Sequence, residues 1–209
     1  FYPSLKNGFV NWDDDLYVTD NASIQDFSLH GVKHIFTSFF VGNYQPVTIL
    51  SYLIEYKFFK LNPFGYHLTN LILHLLNCLL VFWLVYMLTR RVSVSSITAL
   101  LFGIHPLHVE SVAWVSERKD VLYALFFLAA AICYCYYSQG LKARRYYCFS
   151  LILFILALLS KSMAITLPLV LLLIDYFFYE KTNCYTASKR AIMGKIPFFV
   201  LSFVFSAIA

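Results

Sequence analysis

Charge is scarce in this chain. Lysine, arginine, aspartate and glutamate make up 13% of its 209 residues, against about 25% in soluble domains. Too few charges remain to cover a soluble surface of that size. With 60% hydrophobic residues and a mean hydropathy of +0.69, the sequence reads as an integral membrane protein. The glycine signatures of nucleotide chemistry are missing: there is no Walker loop, no dinucleotide fingerprint and no nucleophile elbow. ATP-driven and nicotinamide chemistry therefore lack their usual motifs. Cysteine is sparse as well. Cys78, Cys133, Cys135, Cys148 and Cys184 have neither a disulfide framework nor zinc spacing, and Cys133-x-Cys135 reads as helix packing. No tandem repeat, low-complexity stretch or separate soluble domain is visible.

What is present is a series of apolar runs after a polar, aromatic N-terminal region. Residues 1–65 hold five aspartates together with apolar stretches, a mixture that fits short amphipathic helices at a membrane surface. From residue 66 to 209 the chain reads as an all-α, multi-pass transmembrane bundle. Six apolar segments are predicted: Tyr66–Leu88, Val92–Ile104, Val121–Ser138, Tyr146–Ser160, Met163–Tyr179 and Ile196 onward. The first meets the roughly 20 residues that a bilayer requires. The abrupt opening at Phe1-Tyr2-Pro3 and the final run read as the edges of a fragment.

Charge sets a predicted orientation. With strict alternation, loops 89–93, 139–145 and 180–195 fall on one side and carry nine basic residues against Glu180 alone. The other side, with 1–65, 105–120 and 160–162, carries seven bases and nine acids. The basic side is the cytoplasmic one. The acidic region and the 105–120 segment then face outward together, into the periplasm of a bacterial inner membrane or the lumen of the endoplasmic reticulum. The net charge of +5 does not mark a nucleic-acid partner, because the bases lie in short loops rather than on one soluble face.

Four constellations could carry chemistry. Asn11-Trp12-Asp13-Asp14-Asp15 places three acids in a row near the membrane. Such a cluster is either a solvated loop or a site for proton transfer or cation binding. His105-Pro106-Leu107-His108-Val109-Glu110 continues to Glu117-Arg118-Lys119-Asp120. Pro106 suits the first turn of a helix, which would put His105 and His108 on one face. The two histidines suit donation to an oxyanion or helix capping, or, with Glu110, ligation of a divalent cation. Arg118 and Lys119 stand on the outer side against the charge bias. They pair with neighbouring acids or grip a phosphate. Lys161, in the turn Ser160-Lys161-Ser162, either snorkels or makes a second phosphate contact. Finally, His67, Asn70, His74 and Asn77 form a polar stripe on the longest span, as helix–helix glue or as a cleft lining. Asp175 is expected to pair locally, and Asn21-Ala22-Ser23 is a glycosylation sequon on the outer side.

Several of these blocks, in this order, resemble one family. They are Asn7-Gly8-Phe9-Val10-Asn11-Trp12-Asp13-Asp14, Tyr44-Gln45-Pro46-Val47-Thr48, Asn62-Pro63-Phe64-Gly65-Tyr66-His67-Leu68-Thr69-Asn70, His105-Pro106-Leu107-His108-Val109-Glu110-Ser111-Val112-Ala113-Trp114 with Ser116-Glu117-Arg118-Lys119-Asp120, and Leu159-Ser160-Lys161-Ser162-Met163-Ala164. The chain resembles the membrane half of the TMTC-type proteins, which are related to protein O-mannosyltransferases and carry tetratricopeptide repeats. The resemblance implies a GT-C glycosyltransferase fold, a polyprenyl-phosphate-linked sugar donor, with mannose the expected sugar, and a protein Ser/Thr acceptor. It places the catalytic acids at Asp13 and Asp14, with Asp15 an extra. Where many relatives have Tyr-Arg-Pro, this chain has Tyr44-Gln45-Pro46, so one cationic contact is missing. The span and the repeats that flank such a region in the family fall outside these residues. Arg118, Lys119 and Lys161 would neutralise a departing phosphate. The sequence implies no definite cofactor. A divalent cation stays open, with His105, His108 and Glu110 as its ligands. The rival classes are a lipid or sugar transporter and a non-catalytic membrane scaffold.

Overall fold

The computed structural model describes residues 1–139, 143–182 and 194–208. The predicted contents of the 183–193 loop, together with Lys142, lie outside the described residues. The chain is all-α among those residues, with no strand and a single isolated bridge between Phe40 and Asn43. Two helices are long and apolar enough to cross a membrane, Pro63–Thr89 and Arg118–Ser138. Together with the composition they make this an all-α membrane protein.

The N-terminal 65 residues form short pieces. Three brief turns of helix, Tyr2–Lys6, Asp15–Thr19 and Ala22–Ile24, precede α1 (Leu29–Thr37) and α2 (Pro46–Phe59). Ser28 caps α1 by accepting the Gly31 N–H at 3.0 Å. Pro46 opens α2, where its missing N–H costs nothing. Then α3 (Pro63–Thr89) begins with Asn62 accepting the Phe64 N–H and Pro63 in the first turn. It ends where Arg90 turns left-handed at φ 58° and returns its N–H to Tyr86. Gly65 lies against the Phe59 ring, where any Cβ would collide. The turn between α2 and α3 thus depends on the absence of a side chain.

Next come α4 (Val92–Ile104), α5 (His108–Ala113), α6 (Arg118–Ser138), α7 (Ala143–Ser160), α8 (Leu167–Thr182) and α9 (Ile196–Ile208). Most helical segments match the predicted runs, whereas α8 begins at Leu167, four residues into the predicted Met163–Tyr179 run. Several extend the runs. In particular α6 starts three residues earlier than the apolar run, at Arg118. A short 3-10 turn, Ser162–Thr166, joins α7 to α8 through the extended Lys161.

Two cores result. One is built by Tyr17, Val18, Ile24, Ile35, Ile49 and Tyr52 with Tyr66 and Val115. It fastens the N-terminal region to the start of α3 and the entry to α6. The other joins α6, α7, α8 and α9 around Tyr134, Phe154, Leu158, Leu171 and Phe198. The polar stripe of α3 is wholly buried. Asn70 donates to the Trp114 carbonyl at 3.0 Å and Asn77 to the Val121 carbonyl at 2.8 Å. His74 Nε2 hydrogen-bonds the Gly103 carbonyl at 3.0 Å. Three of the four are glue: Asn70, His74 and Asn77 each satisfy a backbone carbonyl where a neighbouring helix begins or ends, whereas neither ring nitrogen of the buried His67 finds a hydrogen-bond partner among the described residues.

Candidate functional site

The site is assembled at the end of the molecule where α3 and α6 begin. Asp14 is fully buried. Its Oδ2 accepts the Val10 N–H at 3.0 Å, which closes its own loop. Its Oδ1 accepts the Ser116 N–H at 2.9 Å, 102 residues away in sequence. One carboxylate therefore ties the acidic loop to the segment before α6. Charge-assisted bonds to backbone N–H groups are among the stronger ones available. Asp15 is spent locally on the Leu16 N–H. Asp13 is half-buried, and its carboxylate accepts no hydrogen bond from the described residues. The three consecutive acids have three different environments.

Arg118 sits beneath this junction, fully buried. Its guanidinium pairs with Glu55 of α2, donates from Nε to Asn70 Oδ1 at 2.8 Å, and donates from Nη2 to the Tyr66 carbonyl at 2.8 Å. The planar group also lies 4.7 Å from the Tyr52 ring centroid. Its fork is occupied on every side, so Arg118 joins α2, α3 and α6. Glu55 was not anticipated. The signal was there in a lone acid within the apolar stretch 47–59, which must find a cation if buried.

Lys119 and Lys161 lie nearer the surface. Lys119 Nζ is 2.8 Å from Glu117 Oε1 and 5.4 Å from the Tyr17 ring centroid. Lys161 pairs with Asp120 and stands 3.8 Å from Glu117 Oε2. The Asp120 carboxylate also accepts the Ser111 hydroxyl at 3.2 Å. Lys161 is thus not a lone snorkelling lysine. Two lysines and two acids form one partly exposed network bordering the acidic loop. Burial pushes the Tyr17 phenol above its ordinary pKa while Lys119 pulls it back. Tyr17 stays a neutral O–H, and its oxygen accepts from Gln45 Nε2 at 2.7 Å. Gln45 is therefore buried as part of the loop's support.

The histidines are arranged differently from the expectation. His105 is extended and ends α4, because a residue before proline is steered away from helix. The next helix starts at His108, so the two do not share one face. Their ring centroids still lie 5.9 Å apart, and His108 packs 5.5 Å from His74. Burial lowers the His108 pKa, and the neighbouring His74 and His105 lower it further. His105 and Glu110 are exposed. Among the described residues no three His, Cys, Asp or Glu side chains are placed to share a metal ion. His105, His108 and Glu110 do not form a ligand set.

Two smaller expectations change. Asp175 pairs across helices, with Lys195, with the Tyr134 hydroxyl at 2.8 Å and with Ser138 at 3.2 Å, rather than within its own turn. In the sequon, Asn21 spends its amide on the Tyr17 carbonyl at 3.1 Å and its Oδ1 on the Ser23 N–H at 3.0 Å.

The chain is similar to several curated proteins. Protein O-mannosyl-transferase Tmtc3 of Drosophila melanogaster is 30% identical over 164 residues, covering 64% of this chain and 17% of that protein. Protein O-mannosyl-transferase TMTC3 of Homo sapiens is 33% identical over 144 residues, covering 64% of this chain and 15% of that protein. Protein O-mannosyl-transferase TMTC1 of Mus musculus is 38% identical over 96 residues, covering 44% of this chain and 10% of that protein. The chain therefore spans less than a fifth of the length of the relatives it matches. No family model matches, and no solved structure matches. The resemblance to the TMTC-type O-mannosyl-transferase family, carried first by the motifs, holds over about two thirds of the chain.

Proposed function

We propose that this chain forms part of a GT-C-type membrane glycosyltransferase that moves mannose from a polyprenyl-phosphate donor to a Ser or Thr hydroxyl of a protein. The observation that carries the reading is the 2.9 Å bond between Asp14 and the Ser116 N–H. It joins the acidic loop to the densest polar block of the sequence, and it leaves the neighbouring Asp13 carboxylate free. The relatives' names supply the reaction class.

In this scheme Asp13 is the general base. It takes the proton from the acceptor hydroxyl, whose oxygen attacks the anomeric carbon of the sugar. The bond from that carbon to the phosphate oxygen breaks, and polyprenyl phosphate leaves with the bonding pair. A single displacement inverts the anomeric configuration. Lys119 and Lys161 take up the growing phosphate charge by exchanging their contacts with Glu117 and Asp120. Arg118 and Asp14 are positioning residues: the first holds α6 against α2 and α3, the second holds the loop that carries Asp13. His105, His108 and Glu110 border the donor's phosphate end. The site faces the periplasm or the lumen, opposite the basic loops.

The reading is tested with the full-length protein in lipid vesicles, supplied with radiolabelled polyprenyl-phosphate mannose and a pool of Ser/Thr-containing acceptors. Transfer that disappears in Lys119→Gln/Lys161→Gln while the fold persists supports it. Transfer at the wild-type rate in that double variant removes the lysines from the mechanism. An α product from a β-linked donor supports inversion, and a retained anomer overturns the single displacement.

A further inference from the structure

At the far end of α3, away from the acidic loop, an apolar groove of about 610 Å³ runs between α3 and α6. It is lined by Leu76, Leu79, Leu80, Trp83 and Tyr86 of α3 and by Leu125 of α6. From residue 76 to 86 the helix advances about 15 Å. That is half of the roughly 30 Å hydrocarbon core, the depth of one leaflet.

The end of the groove is polar and basic. Arg90 follows Tyr86 by one turn, is exposed, and donates from Nη2 to Gln139 Oε1 at 3.2 Å. Among the described residues Gln139 Nε2 has no hydrogen-bond partner although it is shielded from solvent. Trp83 Nε1 donates to the Tyr136 hydroxyl at 3.1 Å, and the Tyr136 ring stacks on Tyr146 at 5.2 Å. The Arg145 guanidinium lies 4.9 Å from the Tyr146 ring. Neither Arg90 nor Arg145 makes an ion pair among the described residues. The nearby Asp175 is already held by Lys195.

We propose that this groove binds one anionic glycerophospholipid of the leaflet at that end, its acyl chain against Leu79, Trp83 and Leu125 and its phosphate between Arg90 and Arg145. The groove's length fits an acyl chain confined to one leaflet. The unpaired arginines and the open Gln139 amide supply the charge and the donor for a phosphate, and the Trp83–Tyr136 pair marks the headgroup level as interfacial aromatics do. Arginines just beyond a span attract anionic lipid at the membrane surface. The site is separate from the acidic loop and does not depend on the proposed reaction.

The test uses the full-length protein in mild detergent, with equal amounts of palmitoyl-oleoyl phosphatidylglycerol and palmitoyl-oleoyl phosphatidylcholine, read by native mass spectrometry. One phosphatidylglycerol per chain is expected to be retained preferentially. Arg90→Gln and Arg145→Gln should each lower that retention roughly fivefold. Equal retention of both lipids, or no change in the double variant, identifies annular lipid only and overturns the proposal. A second readout covers loss of folding. Phosphatidylglycerol brominated on its acyl chain should quench wild-type tryptophan fluorescence more than the phosphatidylcholine analogue does, and Trp83→Phe should abolish that difference. An undiminished difference in Trp83→Phe also overturns it.

Discussion

Among the described residues each end of the bundle buries one lysine or arginine side chain, and the two are used differently. Arg118, near the acidic loop, pairs with Glu55 and also fills its fork with Asn70 and the Tyr66 carbonyl. Lys195, at the opposite end, pairs with Asp175 and the Tyr134 hydroxyl. Around Arg118 the next layer outward is a set of partly exposed ions, with Glu117, Lys119, Asp120 and Lys161 bordering a half-buried Asp13. Lys195 instead meets helix residues, the buried Tyr134 and the partly exposed Asp175 among them. A buried ion pair by itself is therefore no mark of a site. In the proposed site it is accompanied by a partly exposed layer of ions.

The sharpest way to break the comparison is to remove the two cations in turn. Arg118→Met leaves the Glu55 carboxylate buried and unpaired, and should cost about 3–5 kcal/mol of stability. Lys195→Met should cost less, because the Asp175 side chain is 17% exposed, against 7% for Glu55, and keeps its bonds to Tyr134 and Ser138. Thermal unfolding in detergent ranks the two; a larger loss at Lys195 contradicts the account.

A smaller effect is expected at Tyr52, whose buried hydroxyl donates to the Val115 carbonyl at 2.8 Å. Tyr52→Phe should cost about 1 kcal/mol and soften the acidic-loop end alone. Hydrogen exchange should rise in residues 10–20 and 114–118, while α8 stays unchanged. Equal loosening of both ends would contradict the separation of the two cores.

The smallest effect is a pH slope. His108 has a folded pKa below the ordinary histidine value of about 6.5. The unfolded chain therefore binds its proton first as the pH falls. The stability contributed by neutral His108 is complete above about 6.5 and is lost progressively below that value, towards the lower folded pKa. His108→Gln should flatten the unfolding profile just below about pH 6.5. An unchanged slope would remove His108 from the linkage.

Much of the fold was legible because hydrophobic runs and turn residues are local signals. Pro63 behind Asn62 and Arg90 at a left-handed turn bound α3 close to the limits that the sequence suggests. The family motifs were legible too, and their order along the chain carried the resemblance. What the sequence did not reveal was the division of labour within them. Asp13, Asp14 and Asp15 are the same residue type in a row. Only the fold buries one, spends another on its neighbour and leaves the first free. The role of Arg118 was hidden for a similar reason. Its partner Glu55 lies 63 residues away in another helix, and no local pattern links them. The histidine pair misled because Pro106 also ends the preceding helix, so a spacing of three residues did not become one helical face.

The most direct test of the central claim compares Asp13→Asn with Asp14→Asn in the full-length protein, measuring mannose transfer and thermal stability on the same preparations. Asp13→Asn should lower transfer by about 10²–10⁴-fold with Tm unchanged. Asp14→Asn should lower Tm as well, because it weakens the bonds to Val10 and Ser116. Wild-type transfer by Asp13→Asn, or an equal loss of Tm in both variants, would contradict the assignment of one aspartate to chemistry and the other to positioning.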